Sequence, residues 1–255
     1  MKRFLRVSLL LPLLFAGLAI SRPGVSLASS FKVTPVQVLL TRGVPTALLT
    51  LKNESDRTVR FQASVFEWNQ DREGRMQLAH TLDIVFFPTV LSVKPGEERK
   101  VRIGTGADFG SQEKSYRIFI EELPELEKAG SSQGSQLQIR TRMGIPIFLR
   151  PEKPGEGSQL EAVALRAGVL RFSVRNTGNV HLSLNRIRVR GLGPSGDAQF
   201  ERESDGWYVL AGGFRDYEIE IPEGKCRGIA RFVIEAQIDG KTLSEDLGSS
   251  LGSCP

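Results

Sequence analysis

Any chemistry this chain performs must come from a sparse set of side chains. It has two histidines, His80 and His181, and two cysteines, Cys226 and Cys254. The histidines lie far apart in sequence with no ligand spacing around either. A lone histidine in a β-rich chain is far more often a surface or hydrogen-bonded residue than a metal ligand. The cysteines both fall near the C-terminus. In an exported chain one disulfide between them is the default expectation, with free thiols as the alternative, and a disulfide removes a thiolate nucleophile. Carboxylates are plentiful, but Glu97-Glu98 and Glu121-Glu122 sit in turn or strand-end settings. Adjacent strand residues point to opposite faces, so such pairs do not form an acid–base couple. The sequence has no Gly-x-Ser-x-Gly elbow and no phosphate-binding glycine loop. These residues imply no enzyme, no metal and no cofactor, and leave interaction as the function to look for.

Export is written at the N-terminus. Residues 1–28 read as a secretory signal, with Lys2, Arg3 and Arg6 as the charged start, Val7 to Ile20 as the apolar run, and Ser26-Leu27-Ala28 as the small-residue cleavage site. The run is short for a membrane-spanning helix, so no membrane insertion is expected after cleavage, and the mature chain starts at Ser29. The formal charge of +5 changes accordingly: Lys2, Arg3, Arg6 and Arg22 leave with a segment that contains no acid, and +5 becomes +1. A basic isoelectric point argues for nucleic acid only where the charge belongs to the working protein, so no nucleic-acid partner is expected.

The stretch Ser135 to Pro151, SQLQIRTRMGIPIFLRP, dominates the rest. Its odd positions are Leu137, Ile139, Thr141, Met143, Ile145 and Ile147; its even positions begin Gln138, Arg140 and Arg142. Side chains alternate across a strand, so one apolar and one polar face are sustained over about twice the usual strand length. A strand of this kind either lines its own sandwich core or lends its apolar residues to another protein. Periodicity does not separate the two.

Along the rest of the chain short strands recur. Strands are expected at Phe31–Leu40, Thr46–Lys52, Val59–Trp68, Ile84–Val93, Lys100–Ile103 and Tyr116–Leu123. Glu125–Gly134 forms a loop, and Pro151-Glu152-Lys153-Pro154-Gly155-Glu156-Gly157 reads as a boundary. Beyond it strands are expected near Leu160–Leu165, Val169–Asn176, Leu182–Arg190, Trp207–Leu210, Tyr217–Ile221, Ile229–Ile238 and Thr242–Asp246, with Asp239-Gly240 as a tight hairpin. The pattern predicts an all-β protein of two sandwich domains, one at residues 29–151, one at 158–255, with a linker at 152–157.

In this order and spacing the motifs resemble the periplasmic chaperones of the chaperone–usher pathway, the PapD-like proteins that assemble pili and fimbriae. The resemblance rests on Asn53 after LTLK, the run PTVLSVKPGEERKVRI (Pro88 to Ile103), YRIFIEELP (Tyr116 to Pro124), and Phe148-Leu149-Arg150-Pro151, where the family favours F-Y-R-P. It implies two immunoglobulin-like domains in an L. It also implies a seventh strand that completes a subunit's sandwich by β-augmentation, with Leu137, Ile139, Thr141, Met143 and Ile145 on the inserting face. The partners it implies are pilin or fibre subunits and an outer-membrane usher, and self-capping dimers occur among such chaperones. Two carry-overs concern charge. An ion pair at the domain junction is expected from Arg102 and Glu113. The family's carboxylate anchor, an arginine in the first strand and a lysine late in the seventh, falls here on Gln37 and Pro146, neither charged. Arg140, Arg142 or a cation of the second domain are the replacements, and the Ile145-Pro146-Ile147 pattern is similar to the archaic-type branch. The competing reading is an immunoglobulin-like structural or adhesive fibre protein. A pilin needs an apolar N-terminal extension, for which Phe31, just after the cleavage site, leaves no room.

Overall fold

The computed structural model describes residues 30–124 and 139–248. The expected signal segment, the loop 125–134, Leu137 and Cys254 lie outside these residues.

The first half is a sandwich of ten strands: β1 (Phe31–Thr34), β2 (Val38–Leu40), β3 (Thr46–Asn53), β4 (Val59–Gln70), β5 (Met76–Ala79), β6 (Ile84–Phe87), β7 (Val90–Val93), β8 (Glu98–Thr105), β9 (Lys114–Glu122) and β10 (Arg142–Leu149). One sheet runs β1-β3-β8-β6; the other runs β2-β10-β9-β4-β5, with β7 beside β4. Alternate residues of each strand close on a common core that includes Leu49, Leu51, Phe61, Ile103, Ile118 and Ile147. Two segments expected as single strands each split at a proline and change sheet. Pro35 separates β1, antiparallel to β3, from β2, parallel to β10. Pro88 separates β6, on β8, from β7, on β4. Proline has no N–H to give a ladder, so each breaks pairing where the chain crosses between layers.

The second half repeats the plan with β11 (Ser158–Arg166), β12 (Val169–Asn176), β13 (Leu182–Leu192), β14 (Ala198–Asp205), β15 (Tyr208–Val209), β16 (Phe214–Glu220), a single helical turn α1 (Glu223–Cys226), β17 (Arg231–Ile238) and β18 (Lys241–Gly248). Its sheets are β11-β12-β16 and β14-β13-β17-β18, with β15 beside β13. Both halves are immunoglobulin-like sandwiches, and the chain is all-β as its periodicity predicts. The turn at Asp239-Gly240 joins the paired residues Ile238 and Lys241, and both turn residues have positive φ (48° and 79°), as a two-residue hairpin of this twist requires. Cys226 is buried in this core.

One asparagine fixes a turn in each half. Asn53, fully buried, donates through Nδ2 to the carbonyls of Arg57 (2.7 Å) and Val93 (2.9 Å) and accepts from the Ser55 N–H (2.9 Å). Asn176, equally buried, donates to the carbonyls of Val180 (2.7 Å) and Val209 (3.0 Å) and accepts from the Gly178 N–H (2.9 Å). Residues 152–157, read from the sequence as a linker, are tied to this second turn. The Gly155 N–H donates to Asn179 Oδ1 (2.6 Å), the Thr177 N–H to the Gly157 carbonyl (2.9 Å), and Asn179 Nδ2 to the Lys153 carbonyl (3.0 Å).

Candidate functional site: the open edge of β10 and the domain junction

β10 pairs with β9 along its whole length, from Arg142↔Glu121 to Leu149↔Lys114, but with β2 only at Ile147, Phe148 and Leu149. From Arg142 to Pro146 its other side has no strand against it among the described residues. The Glu122 N–H donates to the Thr141 carbonyl (3.0 Å), which sets the parity: odd residues bond to β9, and even residues turn N–H and C=O to the open side. The bond from the Arg150 N–H to the Leu40 carbonyl (2.8 Å) agrees. An added strand would therefore meet both main-chain groups of Arg142 and Gly144, and the carbonyl alone of Pro146. Pro146 sits where its missing N–H costs β9 nothing.

The faces follow the same parity. Odd side chains of β10 point into the sandwich: Ile145 is 2% exposed and Met143 packs on the core. Even side chains point to the outer face of this sheet. Across that face run the rows Phe66–Arg117–Pro146, Ser64–Phe119–Gly144 and Gln62–Glu121–Arg142. Gly144 is needed there, because a Cβ would stand 2.8 Å from the Phe119 ring and 3.3 Å from Arg117 Nε. Arg117 crosses this gap and donates from Nη2 to the Gly144 carbonyl (3.1 Å). Its guanidinium lies over Trp68 (4.9 Å) and Trp207 (5.0 Å), one indole from each sandwich. Among the described residues it has no ion-pair partner, and burial holds its pKa below the ordinary arginine value.

The junction is aromatic and hydrogen-bonded. Trp68, Phe148 and Leu210 bury one another, with Trp207 and Tyr208 against them. His181 stacks on Phe148 (ring centroids 3.6 Å, 12° between planes). Glu113 Oε1 accepts from the His181 N–H (2.9 Å) and contacts its Nδ1 (2.7 Å), both side chains being buried. Gln37 reaches His181 Nε2 (3.5 Å) and accepts from the Tyr208 hydroxyl (3.4 Å). Gln70 exchanges bonds with the Tyr208 carbonyl (3.0 Å) and the Leu210 N–H (3.2 Å). At the far end Arg72 pairs with Asp216 (2.9 Å) and lies over Phe214 (4.6 Å).

Several sequence expectations change here. β10 begins at Arg142, shorter than the long strand read from alternation: β9 ends at Glu122, whose N–H takes the Thr141 carbonyl (3.0 Å) as the last bond between them among the described residues. Ile145, expected on the inserting face, is placed in the protein's own core. Of the inserting residues, Ile139 is 51% exposed, Thr141 and Met143 are half-buried, and Leu137 lies outside the described residues. Arg102 does not meet Glu113: Val101 and Ile103 point into the core, so Arg102 faces solvent on β8 between Leu48 and Phe87. Glu113 is at the junction, but with His181. Gln37 is engaged in that junction too. Arg140 is exposed, while Arg142 pairs with Glu121 (3.7 Å) and lies over Phe119 (4.0 Å). Arg117 carries no mark of this site in the sequence, and His181, read there only as no metal ligand, carries no mark of the junction. Outward parity in YRIFIEE marks Arg117 as non-core, but its place opposite Pro146 depends on the strand register.

Comparison with known proteins agrees with this architecture. The sequence model of the pili and flagellar-assembly chaperones, PapD N-terminal domain, matches residues 30–154. No curated protein matches in sequence. Among solved structures, the chain is similar to one from the complex of chaperone CsuC with tip subunit CsuE of the archaic Csu pili of Acinetobacter baumannii. They share 18% identity, with a TM-score of 0.55, 85% of this chain and 97% of that one covered. It is also similar to one from the Salmonella enterica SafA pilin–SafB chaperone complex (15% identity, TM-score 0.57, 88% and 98% covered). The E. coli chaperone DraB is a third (16%, 0.53, 87% and 97%). Through its first sandwich, the chain belongs to the family of PapD-like pili and flagellar-assembly chaperones.

Proposed function

We propose that this protein is a periplasmic chaperone of the archaic type that binds pilus or fibre subunits by donating the open edge of β10, and passes them to an outer-membrane usher. The observation that carries the reading is the unpaired stretch Arg142–Pro146, continued by the exposed Ile139. Main-chain bonds along such an edge supply affinity without regard to sequence, and alternate side chains supply fit. Leu137, Ile139 and Thr141, ahead of the core residues, are the inserting set, with Met143 at the boundary. Each buried leucine or isoleucine contributes about 1.5–3 kcal/mol. The outer face carrying Phe66, Phe119 and Gly144 floors the client's site. Arg117, opposite Pro146, is the cation placed to hold a client's terminal carboxylate where relatives use a lysine.

Large apolar side chains exposed among the described residues all fall between Val36 and Ile139, which supports a first sandwich that meets both partners. On the outer face of β3, β8 and β6, Leu48 and Phe87 flank Arg102, and Val85 lies beside Gly104. That face is separate from β10 and suits the usher. The test is co-expression with fibre subunits and co-purification. Ile139→Asp should abolish capture while leaving the chaperone folded; undiminished capture would remove strand donation.

A further inference from the structure

The edge of β10 is open to a strand but is not bare. Of the outward main-chain groups between Arg142 and Pro146, the Gly144 carbonyl already has a donor, Arg117 Nη2 at 3.1 Å. A side chain at residue 144 would crowd this approach, its Cβ standing 3.3 Å from Arg117 Nε. It is held there by two indoles and, through Nη1, by Met76 Sδ (3.6 Å), with no acid on it among the described residues. The cluster also has donors to spare: Arg117 Nε and the Trp68 indole N–H are both buried without an acceptor among the described residues. A cation with surplus donors, parked on a neutral carbonyl, takes an anion in preference.

Building on the strand-addition reading, we propose that Arg117 is an edge guard. In the empty protein it closes the β10 edge by capping Gly144, and an incoming polypeptide opens the edge by drawing the guanidinium onto a carboxylate. The physical basis is an unequal exchange. A strand without a carboxylate must break the cap and offer only another neutral bond in return. A strand with one replaces a bond between a cation and a neutral carbonyl by a full ion pair, for which the arginine fork has the matching planar geometry. The guard also bears on the hazard of an unpaired edge, since a second copy of the chain pairing along Gly144 meets the guanidinium already on its carbonyl.

Intrinsic fluorescence reads this site directly, because the chain's two tryptophans are Trp68 and Trp207, the residues the guanidinium covers. The probe is a short alternating valine–threonine peptide added to the mature protein in three forms: free C-terminal carboxylate, C-terminal amide, and amide with glutamate as the last residue. The free acid should bind the wild type roughly tenfold or more tightly than the plain amide, with a fluorescence change that the amide does not produce. The glutamate form tells a side-chain carboxylate from a terminal one. In Arg117→Gln and Arg117→Lys the preference should shrink or vanish, and in Arg117→Gln the plain amide should associate faster than with the wild type. Equal affinity of the wild type for acid and amide overturns the guard, as does an equal loss for both in Arg117→Gln. The underlying reading fails separately, if Ile139→Asp leaves binding of all three peptides unchanged.

Discussion

Glu113 and His181 join the two sandwiches through a single carboxylate oxygen, which takes both the His181 N–H (2.9 Å) and the ring Nδ1 contact (2.7 Å). The pair sits at a buried seam, with Phe148 stacked on the imidazole and Gln37 on its far nitrogen. The junction therefore depends on a residue of β9's approach and a residue just before β13, not on the exposed Arg102.

His181→Ala removes one of the two contacts on a buried acceptor and the ring beneath Phe148. It should cost about 1–3 kcal/mol, read from the midpoint of urea unfolding. Arg102→Ala, on the solvent face of β8, should stay within about 0.5 kcal/mol. A larger loss from Arg102→Ala than from His181→Ala would contradict this assignment of the junction.

Much of the fold was legible because each core strand has a buried face, and burial imposes a period of two. The strands that escaped notice are those without such a face. All four residues of β5 (Met76–Ala79) are exposed, and β14 (Ala198–Asp205) buries only Phe200. Both stand at a sheet edge, where main-chain pairing alone defines the strand and leaves no mark on hydrophobicity. The site was half legible. Alternation located β10, but it could not say where Met143, Ile145 and Ile147 stop being inserting residues and become core, since that depends on where β9 ends. The charges were harder still. Arg117 meets Gly144, and His181 meets Glu113, through register and domain packing, which no local pattern encodes.

The paired asparagines give a test confined to each half. Asn53→Ala takes a donor from the Arg57 and Val93 carbonyls, and Asn176→Ala from those of Val180, Val209 and Leu210. Each should cost about 1–3 kcal/mol, because several buried acceptors lose a donor at once. Limited proteolysis should then cleave first within the altered sandwich.

Alkali should reveal the buried phenols. The pKa values of Tyr116, Tyr208 and Tyr217, the three tyrosines of the chain, are all pushed up by burial; Tyr116 goes furthest, its hydroxyl also donating to Asp83 (2.5 Å). A raised folded value favours the neutral phenol in the native state. The contribution is complete below the unfolded value of about 10 and declines as pH rises above it. Tyrosinate absorbance should therefore appear together with loss of tertiary structure, in one step. An earlier, separate titration of Tyr116 would contradict its burial.

The boundary between donated and core residues on β10 is the sharpest test of how this strand works. Ile139 is half exposed and Ile145 is enclosed, although both share one face by alternation. Ile139→Ala should leave urea unfolding within about 0.5 kcal/mol of the wild type while weakening subunit capture. Ile145→Ala opens a cavity in the protein's own core and should cost about 2–5 kcal/mol, with capture falling only as the folded fraction falls. If Ile145→Ala instead left stability intact and reduced capture, the inserting set would extend past Met143. The register of a bound strand would then move toward the domain junction, where β2 takes over the edge.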